Sequence, residues 1–119
     1  MSFPMTGVPP VISASDADAV AWRDAVVTAG GTVSAGRLTL VSDLITSLKA
    51  GSVWTTLDRL WLFAAENAIS ALLDIKGLST ATAVSSPTFT ANEGYTGSST
   101  ARVNTNFNPS SGTPNYVQN

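Results

Sequence analysis

The chain of 119 residues contains no cysteine and no histidine. Disulfides, thiolate nucleophiles, the usual zinc ligand sets and histidine-based triads are therefore excluded. Charge is scarce too. Six basic and eight acidic side chains make up 12% of the residues, about half the usual share. The net charge of -2 and pI near 4.7 leave no basic field for a phosphate backbone, so nucleic-acid binding is not expected. The longest apolar stretch, residues 60–65, is far too short to cross a bilayer, and no membrane insertion is expected. The first seven residues lack both the basic region and the continuous apolar region of a secretory signal. No Asn-x-Ser/Thr acceptor occurs once proline is excluded at the middle position.

What remains is 44% hydrophobic, with Ser, Thr, Ala and Gly in place of charge. This is the composition of a structural or interaction module, and neither enzyme activity, a cofactor nor a metal is expected. Three regions follow. Residues 1–14 carry Pro4, Pro9 and Pro10 between Phe3, Met5 and Val8. Proline blocks helix and central-strand pairing, so this region reads as an extended arm with apolar pegs. Residues 15–77 read as a helical domain, and residues 78–119 as an extended β-rich region.

In the helical region, helix one is expected to start near Ser15 or Asp16, with Asp16 and Asp18 favoured by the helix dipole. Its stripe is Ala19, Trp22, Val26 and Ala29, and Gly30-Gly31 ends it. Helix two is expected after Ser34, with Leu38, Val41, Ile45 and Leu48 as its stripe and Leu40 and Leu44 widening it. Lys49 falls in its last turn, and Gly51 is expected to supply the left-handed stop. A third helical segment is expected from Ser52 or Val53, with Trp54, Leu57, Leu60, Trp61 and Ala64 on one face. It continues through Ala68, Ile69, Leu72 and Leu73 to Lys76-Gly77, with a break near Glu66-Asn67. The expected fold class is thus mainly α: a small three- to four-helix bundle with an extended N-terminal arm and a strand-containing extended C-terminal region.

Beyond Leu78 only Glu93 and Arg102 are charged. Residues 80–84 and 88–90 have strand character, residues 101–105 form a further candidate strand, and 92–94 and 96–98 read as turns. So short a β region cannot bury its own faces and needs the helical part, another chain or further sequence.

The search for chemistry yields little. Asp16 and Asp18 are explained by a helix start, and Asp58-Arg59 reads as a pair on a helix surface. Glu66 follows an apolar run and, if buried, needs a partner such as Arg59 or Arg37. Neither Lys49 nor Lys76 has the spacing of a Ser–Lys dyad. The candidate partner-binding residues are Phe3, Met5 and Val8 in the arm, and Trp54, Trp61 and Phe63, because aromatic residues are favoured at interface centres.

Four stretches also carry a resemblance: residues 54–67 (WTTLDRLWLFAAEN), 81–90 (ATAVSSPTFT), 94–97 (GYTG) and 104–109 (NTNFNP). Together they resemble a recurrent N-terminal module of tailed-bacteriophage and prophage fibre or virion appendage proteins, over about residues 15–119. In such proteins a short helical region leads into a larger β domain that looks like a lectin sandwich. The resemblance implies a virion structural protein that docks on the capsid, neck or tail and forms a homo-oligomer, with a trimer as the guess. It also implies that the β region begins a domain whose body, with any host-glycan site, lies further downstream. The alternatives are a capsid decoration or head-completion protein, and a fragment of a polysaccharide-degrading appendage enzyme.

Overall fold

A computed structural model describes residues 15–111 and Asn115. Helix α1 spans Ala17–Thr28 and α2 spans Ala35–Ala50. A 3₁₀ turn follows at Trp54–Thr56, then a five-residue helix α3 at Ala68–Leu72. Four three-residue strands complete the order: β1 (Thr82–Val84), β2 (Thr88–Thr90), β3 (Gly94–Thr96) and β4 (Arg102–Asn104). The arm at residues 1–14, with Phe3, Met5 and Val8, lies outside the described residues.

The first two helices form where the sequence places them. Asp16 caps α1 by accepting from the Asp18 N–H at 2.8 Å, and Ser34 caps α2 by accepting from the Arg37 N–H at 3.1 Å. Each cap satisfies one of the donors that a helix start leaves unpaired. The stripes Ala19, Trp22, Val26 and Val41, Ile45 are buried, and Leu38 and Leu48 pack against them. Ala29 and Leu40, expected to join the stripes, are exposed.

Helix α1 ends in a Schellman motif, with Gly31 N–H donating to Val26 O (2.9 Å), Gly30 N–H to Val27 O (3.0 Å) and Gly30 at φ +95°. Helix α2 ends the same way, but one residue later than expected. Gly51 sits at φ -86°, and Ser52 takes the left-handed position at φ 60°. The ladder decides this: Ser52 N–H bonds Lys49 O and Val53 N–H bonds Leu48 O, which puts the turn at Ser52. A β-carbon on Gly51 would meet only ordinary contacts, the nearest at 3.5 Å. The double change Gly51→Ala, Ser52→Gly is expected to stabilise the protein by about 1 kcal/mol. Thermal melts should then rise by about 4–8 °C; an unchanged melt would refute this account of the helix end.

Lys49, in the last turn of α2, reaches the start of α1 at 2.9 Å from Asp16 and 2.7 Å from Asp18. Opposite charges thus complement both helix dipoles at once. Burial works against ionising Asp16. The Lys49 hydrogen bond, the Asp18 and Ala19 N–H groups and the Lys49 charge outweigh it and hold the carboxyl below its ordinary value. The hydrogen bonds to Asp18 and then Asp16 push Lys49 upward. Asp16 therefore adds stability that is present above about pH 4 and lost as pH falls through its lowered value. Lys49 adds stability that is present below about pH 10 and lost as pH rises through its raised value. Lys49→Met is expected to remove about 0.5–1 kcal/mol at neutral pH and low salt. It should also flatten the acid limb of a plot of Tm against pH, and an unaltered limb would sink the assignment.

The expected mainly-α bundle does not form. Among the described residues the fold is mixed α/β, about 37% helix and 14% strand, with the four strands in two small antiparallel sheets. The third helical segment is the point of failure. After the 3₁₀ turn, residues 57–67 are not helical, and α3 stops at Leu72 instead of running to Gly77. The cause is tertiary. The Asp74 carboxylate takes the Leu60 N–H at 2.6 Å, and Leu60 O accepts the Ile75 N–H at 2.7 Å. Leu60 thus spends both backbone groups on residues 74–75, so neither serves a helix. At the far end, Leu72 O accepts the Ala81 N–H at 2.8 Å, and Leu73 bridges to Thr80. Side chains along this run alternate. Leu60 and Leu62 pack on the core, whereas Trp61 and Phe63 are half-buried outside it. Apolar residues on more than one side therefore suit a run packed on both sides.

In the C-terminal region β1 pairs with β4 and encloses the β2–β3 hairpin. Ser85 and Ser86, both at positive φ (58° and 54°), turn the chain from β1 towards β2. Phe89 lies opposite Tyr95, with ring centroids 5.0 Å apart. Residues 94–96, taken in sequence as turn ends, form β3 because this cross-strand aromatic pair supplies the packing that short strands need.

Candidate interaction site

The region around residues 57–67 is where the helical and β parts meet. Asn92 N–H donates to Ala65 O at 2.8 Å. Arg37, from α2, donates to Ala64 O at 3.2 Å and to Asn92 Oδ1 at 2.6 Å. Tyr95 O–H donates to Ala68 O at 3.0 Å, and burial pushes its phenol upward. Gly94 sits at φ +112°, where a β-carbon would stand 3.4 Å from Phe63 O. A side chain there would be strained by the positive φ.

Glu66 finds Arg37 of its two expected partners, at 3.9 Å, and also accepts the Ser34 N–H at 3.1 Å. Arg59 pairs instead with Asp74 at 3.5 Å. Asp58 and Arg59, read as neighbours on a helix surface, sit on the irregular run. Asp58 accepts from Asn115 N–H and Nδ2, both at 3.1 Å. Arg59 lies 5.6 Å from the Phe107 ring.

Sequence reasoning passed over Asp74. It is fully buried and accepts from the N–H groups of Leu60, Lys76 (2.9 Å) and Gly77 (2.8 Å) beside Arg59. Three backbone donors and a guanidinium compensate the buried charge. The available signal was Asp three residues before Gly77, the pattern of a side chain that caps its own loop.

Trp54 and Trp61 do not share the expected helical face, because that helix is absent. Trp54 joins the core at 7% exposure. The Lys76 ammonium is 4.5 Å from its ring centre and also donates to Trp54 O at 2.8 Å. Trp61 is half-buried, with its indole N–H on Leu72 O at 3.1 Å. Phe63 lines a groove of about 360 Å³ with Pro87, Glu93, Tyr95 and Arg102. The only two charges after Leu78 thus come to the rim of one groove. Among the described residues no group of three or more acidic, cysteine or histidine side chains is placed to share a metal ion.

The chain matches no protein-family model, no curated protein and no solved structure at a significant level.

Proposed function

We propose that this chain is a virion structural protein of a tailed bacteriophage, the N-terminal anchoring region of a fibre or appendage. It docks on capsid, neck or tail proteins and acts as a homo-oligomer within the particle. The observation that carries the reading is that two stretches bearing the phage-module resemblance mate with each other. The run at 57–67 holds the 88–97 hairpin through Asn92–Ala65, Arg37 and the close approach of Gly94 to Phe63. Residues that recur together as a pattern are expected to touch, and here they form the joint between a helical hairpin and a β arm. Scarce charge also suits packing against other proteins. Anchoring of this kind needs apolar contacts and free backbone edges, not a reactive centre.

The test is particle fractionation. Phage induced from the host that carries the reading frame are banded on a density gradient, and the chain is sought by mass spectrometry. It should band with intact particles. Recovery only in the soluble host lysate, with none in the particle band, would overturn the proposal.

A further inference from the structure

The run at residues 59–63 belongs to neither a helix nor a strand and lies beside residues 74–75. Leu60 gives its N–H to Asp74 and its C=O to Ile75. On either side, the N–H and C=O of Arg59 and Trp61 and the N–H of Phe63 have no hydrogen-bond partner among the described residues. Backbone groups alternate between the two edges of a strand. One edge here is bonded at Leu60 alone, with no bond at Leu62, and the other, at positions 59, 61 and 63, has none of these groups bonded among the described residues. An open, half-buried apolar edge is a template for an added strand. Phe63 also lines the groove described above.

We infer that this edge receives residues 3–7 of the arm of a second copy of the chain. Several features of the arm fit. Phe3 and Met5 are two apart, so in a strand their side chains share a face, and Phe3 can enter the groove between Phe63 and Tyr95. Pro4 has no N–H, so the arm can pair through residues 3 and 5 on one edge only, which ends the sheet there. Residues 1–14 carry no charged side chain. Fourteen residues precede Ser15, a reach of roughly 46 Å when extended. Pro9-Pro10 favours a stiff spacer that carries the pegs away from their own helix. The inference rests on the proposed homo-oligomer and not on the virion itself.

The test uses the full chain at tens of micromolar, by sedimentation equilibrium and amide exchange. The wild type should be an oligomer with the Trp61 and Phe63 amides protected. The double variant Phe3→Asp, Met5→Asp should be a monomer of unchanged far-UV circular dichroism, with those two amides exchanging at least tenfold faster. A monomeric wild type would overturn the inference, as would an oligomer that survives in the variant. A monomer whose two amides lose protection only in the variant would overturn it as well, by placing the arm on its own chain. An arm-dependent oligomer absent from phage particles would refute the virion reading alone. A particle protein whose oligomer ignores the arm would refute this inference alone.

Discussion

Asp74→Ala is expected to destabilise the protein by about 3–5 kcal/mol, the range for removing one partner of a buried ionic cluster. The side chain is 0% exposed. Its loss strands three backbone N–H groups, of Leu60, Lys76 and Gly77, together with the Arg59 guanidinium. Buried donors left without acceptors cost about 1–3 kcal/mol each before relaxation. A small domain has a total stability of about 5–15 kcal/mol, so this change is a large fraction of it. Arg59→Met should cost much less, because Arg59 is about one-third exposed and the three N–H groups still hold the carboxylate. Urea denaturation followed by circular dichroism separates the two. If Asp74→Ala and Arg59→Met cost the same, the carboxylate acts through the ion pair and not through the backbone, and Asp74 is not what keeps residues 57–63 out of a helix.

Trp22→Ala is expected to cost about 3–5 kcal/mol. Trp22 is 2% exposed within the cluster of Ala19, Val26, Val41, Ile45, Leu73 and Ile75. Its indole N–H donates to Leu73 O at 3.2 Å. It therefore ties α1 to the chain just past α3, fifty-one residues away in sequence. Trp22→Phe should recover most of the packing and lose about 1 kcal/mol with the hydrogen bond. Trp61→Phe removes a similar bond, to Leu72 O, from a half-buried site where water can replace it, so its cost should be smaller. Denaturant midpoints for the three variants give the ranking directly. A Trp61→Phe cost equal to that of Trp22→Ala would contradict the placement of the core.

The site shows the same division between local and distant causes. Trp54, Trp61 and Phe63 stood out in sequence as large aromatics in a charge-poor run. The face shared by Trp54 and Trp61 rested on helical spacing, which residues 57–67 do not adopt. Without that helix, Trp54 falls into the core, Trp61 lies over Leu72, and Phe63 meets the β hairpin. The backbone groups of Arg59, Trp61 and Phe63 that have no partner among the described residues could not be read from side chains at all. They depend on where Leu60 sends its backbone bonds, and those partners, Asp74 and Ile75, lie fourteen and fifteen residues further on.

The sequence by itself determined α1 and α2, through Asp16, Ser34 and stripes of period three and four, because caps and amphipathic faces act within a turn or two of chain. It also marked residues 80–84, 88–90 and 101–105 as strand, and β1, β2 and β4 fall within them. Tertiary structure alone decided that Leu60 pairs with residues 74–75 and that Arg37 joins Ala64 to Asn92. Local propensity differs by tenths of a kcal/mol per residue, whereas a buried carboxylate with three backbone donors outweighs it several-fold.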